Sequence, residues 1–176
     1  MSTSPNKELG VKPTPAGRKT LFARLEELGI PTITVEHEPM FTVEESKALR
    51  ESLPGAYTKN LFLTDKDGSM VLVVAKDDTK IDLKALAKRL GAGRFSFGKG
   101  ELLEAVLGVP AGSVTPFALI NRSATDVAVA VDKALMNFAE INCHPLENTA
   151  TTRLATRDLI RFIEACGHEP RILPLG

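Results

Sequence analysis

The sequence predicts a mixed α/β fold in a single domain, with a largely antiparallel sheet and flanking helices. Segments with helical apolar spacing alternate with short strand-like runs along the 176 residues. Most links between successive strand-like runs are shorter than the crossover that parallel neighbours require. With 43% hydrophobic and 25% charged residues, the chain can bury a core of its own without disulfides or a metal.

The N-terminal half predicts helices, a strand and a hairpin. We expect residues 1–17, which are polar and contain three prolines, to form a flexible tail, followed by a domain over 18–176. The elements expected next are a helix ending at Gly29, a strand over 32–35, a helix from a Thr42–Glu45 capping box to about Ser52, and strands 60–64 and 70–75. The polar run 65–68 between the two strands predicts a hairpin turn.

The C-terminal half continues with capped helices and more strands. Asp82 can cap a helix that ends at Gly91, and a second helix over 101–107 ends at Gly108. The remaining predicted elements are strands over 117–121, 126–131 and 138–142, a polar loop over 144–152, a helix capped by Thr156 and ending at Gly167, and a strand near 171–173.

Composition and charge limit the possible partners. No apolar run reaches the roughly 20 residues that cross a bilayer, and two cysteines make no disulfide framework. We therefore expect a cytoplasmic protein with no membrane partner. Acidic and basic residues balance at 22 each, which argues against sequence-blind nucleic-acid binding. One stretch is nevertheless basic and could face a polyanion or be a solvated helix face; it contains Lys80, Lys84, Lys88, Arg89, Arg94 and Lys99.

Several short motifs resemble parts of known binding or catalytic sites but lack the spacing of the complete site. The glycine pairs at 91/93 and 98/100 lack the rest of a nucleotide-binding pattern, and the run 65–68 lacks the further ligands of a calcium loop. The segment 94–98 resembles an RNA-stacking strand only weakly, and we expect its two phenylalanines to pack in the core. Adjacent residues on a strand point to opposite faces, so Cys143 and His144 make a poor zinc site with Cys166 and His168, and a poor nucleophile–base pair.

One lysine stands within an apolar, strand-like run, at Lys59-Asn60-Leu61-Phe62-Leu63. A lysine at a strand start is usually solvated, but the ammonium could instead lie in a cleft with acceptors. Three other segments accompany it: His37 and Pro39 with Phe41–Glu45, the Gly112-x-x-x-Pro116 loop, and His144-Pro145 with Asn148. Taken in order, the four segments resemble the YbaK/ProX family of prolyl-tRNA editing domains over about 19–175, and are most similar to its ProXp-ala members, which remove alanine from mischarged tRNA(Pro).

The resemblance implies a hydrolase that cleaves the ester between alanine and the terminal ribose of tRNA(Pro), without a cofactor or metal. Lys59 is then the expected catalytic residue, and a free ribose hydroxyl helps to activate water, so no general base is assigned. The implied substrate contacts are Asn60, Gly112, Ser113, Val114, Thr115, Pro116, His144 and Asn148. Met40, Phe41, Thr42 and Val43 are the candidates for a size-limiting wall, although Met40 and Phe41 could equally be core residues.

The expected partners are mischarged tRNA(Pro), whose acceptor stem would contact the basic stretch 80–99 through phosphates, and prolyl-tRNA synthetase. Other functions stay open at this point. The chain could be a binding module that holds aminoacyl-tRNA or a synthetase without hydrolysis, a deacylase for Cys- or Ser-charged tRNA, or a zinc hydrolase that chelators would inactivate.

Overall fold

The computed structural model of the chain describes residues 14–39 and 43–176, with the side chains of 43–45 left undescribed. The strands in this part are β1 (Ile33–Glu36), β2 (Ala56–Thr64), β3 (Met70–Lys76), β4 (Ser96–Phe97), β5 (Ala128–Asp132), β6 (Glu140–Cys143), β7 (Ala150–Ala155) and β8 (Arg171–Leu173). The α-helices are α1 (Arg18–Glu27), α2 (Val43–Ser52), α3 (Leu83–Leu90), α4 (Glu101–Leu107) and α5 (Thr156–Ala165), and 3-10 helices cover Pro116–Ile120, Arg122–Ala124 and Lys133–Asn137.

All eight of these strands belong to one mixed sheet. Its order is β1-β7-β6-β2-β3-β5-β8, and the short β4 also pairs with β2. Four pairs are antiparallel, namely β1–β7, β6–β7, β2–β3 and β2–β4, and three are parallel, namely β2–β6, β3–β5 and β5–β8. Each parallel pair is joined through a segment that contains at least one helix, as parallel neighbours require. The mixed, mostly antiparallel α/β sheet is therefore confirmed.

The central strand β2 has one interrupted edge. β3 pairs along one side of it from Thr58 to Thr64. On the other side β6 pairs with residues 56–57 and β4 pairs with residues 63–64. Residues 58–61 therefore have no strand partner on this side among the described residues. The gap leaves this edge of β2 without a described strand partner in the middle of the sheet, and Lys59 lies within it.

Apolar side chains cover both faces of the sheet. On one face α1, α4 and α5 enclose a large core in which the rings of Phe117 and Phe162 meet edge to face, with centroids 5.4 Å apart. On the other face α3 packs Leu86 and Ala87 against β2 and β3. No helix in the described ranges is long and apolar enough to span a bilayer.

The predicted strand over 117–121 is wrong, because Pro116–Ile120 forms a 3-10 helix. The hydroxyl of Thr115 accepts a hydrogen bond from the Phe117 amide, and Pro116 supplies the φ angle of a first helical residue. Phe117, Ala118 and Leu119 are all buried, so their apolar run carries no periodicity that separates a strand from a buried helix.

Further boundaries differ from the prediction, and β5 and β6 begin at Ala128 and Glu140 rather than at residues 126 and 138. β2 begins at Ala56 rather than at residue 60, since β6 pairs with its first two residues. The predicted loop 144–152 ends at Thr149, because a threonine-rich segment forms β7 and pairs with both β1 and β6. Thr156 is the first residue of α5 rather than its cap, and its hydroxyl donates to the Phe138 carbonyl over 2.7 Å.

Several local predictions are confirmed. The hairpin of β2 and β3 turns at Asp65, which accepts from the amides of Asp67 and Ser69 over 3.0 and 2.9 Å. Asp82 caps α3, and α3 and α4 end at Gly91 and Gly108 with left-handed backbone. The Thr42–Glu45 capping box lies outside the described residues and side chains. Of the predicted tail only residues 14–17 are described, and the Ala16 amide donates to Oδ1 of Asn121 over 2.8 Å.

Candidate functional site

A cavity of about 360 Å³ lies where α2, the start of β2 and the β6–β7 loop meet. Its wall carries imidazole, guanidinium, phenol, hydroxyl and amide groups with few aliphatic ones. The lining residues are His37, Pro39, Ser46, Leu49, Arg50, Tyr57, Thr58, Gly112, His144, Asn148 and Thr151. Cavities of about 740 and 620 Å³ lie elsewhere, but neither contains a histidine or touches the segments that carry the family resemblance.

Two histidines with fixed rings face this cavity. His144 Nδ1 lies 2.8 Å from the carbonyl oxygen of Ala150 and must donate to it, which leaves Nε2 as an acceptor in the neutral ring. Burial lowers the pKa of His144. The His37 ring, 6.3 Å away between centroids, contacts the Glu38 carbonyl through Nδ1 and the Thr151 hydroxyl through Nε2. Both rings are thus held in place by β7 and the chain beside it.

The β6–β7 loop that carries His144 and Asn148 is held by several contacts. The Thr115 hydroxyl donates to the His144 carbonyl over 2.7 Å, and the His37 amide donates to the Thr149 carbonyl over 2.9 Å. Leu146 has a φ of +71° and is buried. A left-handed leucine is uncommon and persists only where its surroundings fix it. The loop therefore presents His144 and Asn148 in a defined conformation.

Arg50 and Tyr57 form the wall of the cavity beside α2. The guanidinium carbon of Arg50 lies 4.3 Å from the centre of the Tyr57 ring, and Nη2 pairs with Asp77 over 2.7 Å. The Tyr57 hydroxyl donates to the Leu53 carbonyl over 2.8 Å, and burial raises its pKa. The phenol therefore fastens the end of α2 to the sheet and stays protonated.

Lys59 and Asn60 follow the cavity wall along β2 but are not among its lining residues. Because side chains alternate along a strand, Lys59 lies on the face of Tyr57 and Asn60 on the face of Thr58. Lys59 is half-buried and forms no ion pair with any side chain that the structure describes. Asn60 donates to the Thr58 hydroxyl over 3.3 Å, and its buried Oδ1 has no partner among described residues. Both residues lie within the gap in the sheet.

The structure brings only part of the predicted substrate set into the cavity. Gly112, His144 and Asn148 line it. Ser113 and Thr115 are buried, Val114 packs against the core, and Pro116 begins the 3-10 helix. This part of the loop therefore supports the wall from behind, through the bond from Thr115 to His144. Met40, Phe41 and Thr42 lie outside the described residues, and the Val43 side chain is not described.

Sequence reasoning did not assign a site role to several lining residues, namely Ser46, Leu49, Arg50, Tyr57, Thr58 and Thr151. Tyr57 and Thr58 directly precede Lys59, which was an available signal. Arg50 is one of two cations in an otherwise acidic stretch between residues 26 and 51. Thr151 falls in the predicted loop 144–152, whereas the structure has it in β7. His37 and Pro39 carried the resemblance and also line the cavity.

Burial removes the cysteines as nucleophiles. The pKa of the Cys143 thiol is raised to about 12 and that of Cys166 to about 11, in both cases chiefly by burial. A thiol with such a pKa holds almost no thiolate at neutral pH. No three His, Cys, Asp or Glu side chains cluster as metal ligands within the described part of the chain. The structure therefore gives no support to the nucleophile pair at 143 and 144.

The basic stretch lies on the surface. Its six cations are exposed, and none pairs with an acidic side chain that the structure describes; they are Lys80, Lys84, Lys88, Arg89, Arg94 and Lys99. Phe95 is buried, as expected, but Phe97 is 55% exposed, so the prediction that both rings pack in the core is wrong for Phe97. Phe97 stands opposite Leu63 on the edge of β2, beside the gap. We name these six cations and Phe97 the basic face.

The family model for the aminoacyl-tRNA editing domain matches residues 37–162. That range contains β2, the cavity loops and the basic face. The chain belongs to the aminoacyl-tRNA editing domain family, of the YbaK/ProX type, as its motifs predicted. The resemblance is thereby confirmed.

Within that family the chain is similar to proteins connected with prolyl-tRNA. It is 39% identical over 158 residues to the zebrafish Danio rerio prolyl-tRNA synthetase associated domain-containing protein 1, covering 89% of this chain and 86% of that protein. It is 35% identical over 159 residues to the prolyl-tRNA editing protein ProX of Acetoanaerobium sticklandii, covering 90% and 97%. A solved structure described as a candidate trans-editing enzyme for prolyl tRNA synthetase has the same fold, with a TM-score of 0.68, 18% identity and coverage of 99% and 100%.

Proposed function

We propose that this chain hydrolyses the ester that joins alanine to the terminal ribose of mischarged tRNA(Pro). The observation that supports it most is the cavity of about 360 Å³ with His144 and Asn148 in its wall, lined also by Tyr57 and Thr58, which directly precede Lys59 on β2. The names of the relatives point to prolyl-tRNA. Alanine rather than serine or cysteine is our choice from the motifs.

The need for such a site follows from binding energetics. A pocket built for proline cannot exclude a smaller amino acid by size, because each missing methylene lowers the binding free energy by only about 1–3 kcal/mol. A second site can reject the error if it accepts alanine and sterically excludes proline. We propose that Met40, Phe41, Thr42 and Val43 form the wall that limits the size of the amino acid in this cavity.

Chemistry at this site needs little more than positioning and charge stabilisation. Water adds to the ester carbonyl, the bond from the carbonyl carbon to the ribose oxygen breaks, and that oxygen takes a proton as alanine leaves. The Lys59 ammonium would stabilise the negative charge on the carbonyl oxygen or hold the terminal phosphate. Asn60, next to Lys59 on β2, is proposed to contact the aminoacyl group, and Nε2 of His144 would accept from water or a ribose hydroxyl.

Deacylation of a panel of charged tRNAs tests this proposal. We expect the purified chain to release labelled alanine from Ala-tRNA(Pro), and to leave Pro-tRNA(Pro) intact because the ring does not fit. Hydrolysis of Ser- and Cys-tRNA(Pro) would show which other amino acids the pocket accepts. Binding of Ala-tRNA(Pro) without release would instead indicate a binding module, and hydrolysis of Pro-tRNA(Pro) at the same rate would contradict selection by size.

The basic face is proposed to hold the acceptor stem and the single-stranded 3′ end. Its cations have no described acidic partner, and the exposed Phe97 ring offers a surface on which a base can stack. Reversing the charge of Lys84, Lys88 and Arg89 is expected to lower kcat/KM on whole Ala-tRNA(Pro) at least tenfold at physiological salt. The salt dependence of binding should weaken by roughly 0.9 in logarithmic slope for each phosphate that the variant no longer neutralises.

A matched control separates this surface from net charge. Arg122, Lys133 and Arg157 are exposed cations outside the basic face, and their charge reversal changes the net charge by the same amount. This control should leave kcat/KM on whole tRNA close to wild type. Hydrolysis of a short alanyl-nucleoside ester should be unchanged in both triple variants. Equal activity of the basic-face variant and the wild type on whole tRNA would contradict the assignment.

A further inference from the structure

Arg18 connects two segments that each carry a wall of the cavity. Its Nη1 and Nη2 donate to the two carboxylate oxygens of Glu36 over 2.6 and 2.8 Å, and its Nε lies 2.7 Å from Oε2 of Glu147. Glu36 directly precedes His37, and Glu147 directly precedes Asn148. Both of the following residues line the cavity. One guanidinium therefore joins the end of β1 to the β6–β7 loop, from a position outside the family-model match.

We propose that Arg18 is a positioning residue for the proposed deacylation, holding the end of β1 and the β6–β7 loop together so that His37, His144 and Asn148 keep their places in the cavity wall. Its consequence for activity rests on the proposed function. Its consequence for the position of the His144 ring does not.

The charges explain why this contact matters locally. Two carboxylates converge on one guanidinium, so without Arg18 two like charges would face each other across the loop. The hydrogen bond with Glu36 is the main reason that the pKa of Arg18 is raised and that of Glu36 is lowered. The two glutamate side chains are 68% and 52% exposed, and exposed ion pairs contribute little to global stability. The expected effect of removing the Arg18 side chain is therefore a shift of the loop rather than unfolding.

Kinetics of Arg18 variants test the positioning role. We expect Arg18→Ala to lower kcat on Ala-tRNA(Pro) about tenfold or more with a smaller change in KM, because small displacements of reacting groups are costly. Arg18→Lys keeps the positive charge but loses the planar group that donates to both carboxylate oxygens of Glu36. Its kcat should therefore lie between those of Arg18→Ala and the wild type. Arg18→Ala combined with Glu147→Gln removes the repulsion and should recover part of the missing kcat. Arg24→Ala, which breaks an exposed pair with Glu27 in the same helix, should behave as wild type.

Histidine NMR gives a readout that needs no substrate. The chain has three histidines, so their ring signals can be assigned by single substitutions. Arg18→Ala should shift the His144 ring signals, while those of His168, whose ring is buried against the Val127 carbonyl, stay in place. Arg24→Ala should shift neither.

The outcomes separate the two proposals. An inactive wild type would refute the proposed deacylation and leave the NMR measurement to decide on Arg18. Unchanged His144 signals in Arg18→Ala would overturn the positioning role, as would wild-type kcat in an active enzyme. A loss of kcat that follows a fall in Tm, without recovery in the double variant, would also overturn it.

Discussion

Replacing Lys59 with alanine is expected to reduce hydrolysis of Ala-tRNA(Pro) at least a hundredfold. Lys59 lies in mid-strand on rigid β2, half-buried at the gap in the sheet, and its ammonium pairs with no described carboxylate. We propose that this cation stabilises the negative charge of the reacting carbonyl oxygen. Removal of one such charge-stabilising group typically costs about 10²–10³ in kcat. Single-turnover hydrolysis of labelled Ala-tRNA(Pro) measures the loss.

Two control variants test whether the loss of activity is specific to the charge at Lys59. Lys66→Ala removes an exposed lysine from the turn of the same hairpin and should retain wild-type turnover and Tm. Lys59→Arg keeps a positive charge on a longer, planar group and should retain part of the activity. A Lys59→Ala variant that folds normally and keeps more than a third of the wild-type rate would contradict the catalytic role.

Local sequence signals predicted most of the fold where they act through short-range chemistry. The Asp65 turn, the Asp82 cap and the glycine ends of α3 and α4 each depend on a few neighbouring residues. The prediction of a strand over 117–121 was wrong because the side chains of residues 117 to 119 are all buried. A fully buried run shows neither the periodicity of a strand nor that of a helix. The Thr-Pro pair in front of it was the signal that predicts a helix start.

The site was predicted less completely because it is assembled from distant parts of the chain. The motifs identified His144, Asn148 and Gly112, which line the cavity. Tyr57 and Thr151 enter it through the pairing of β2 with β6 and of β7 with β1, and Arg18 reaches it across 129 residues of sequence to Glu147. Long-range pairing of this kind leaves no periodicity in the sequence. Exposure of Phe97 likewise depends on which elements cover the edge of β2.

Replacing His144 with alanine is expected to lower kcat by about one to two orders of magnitude, because the ring is proposed to accept a hydrogen bond from the attacking water or a ribose hydroxyl and so to position it. The Ala150 carbonyl fixes Nδ1 as the donor, so Nε2 is the acceptor of a ring that lines the cavity. His144→Gln can place an amide oxygen near the position of Nε2 and should retain more activity than His144→Ala. Equal rates for wild type and both variants would contradict any role for the ring.

The pH dependence of His144 provides an independent test. Burial lowers the pKa of this ring below its ordinary value of 6.5, so the ring stays neutral above that pH and activity should not vary there on its account. Below pH 6.5 the unfolded chain takes up a proton at this residue before the folded chain does. The free energy of unfolding should therefore decrease as the pH falls through this window. Chemical denaturation of the wild type should show that decrease, and His144→Gln should show less of it because it has no group to protonate there. An identical pH profile of stability in the two proteins would show that the folded state does not hold His144 in its neutral form.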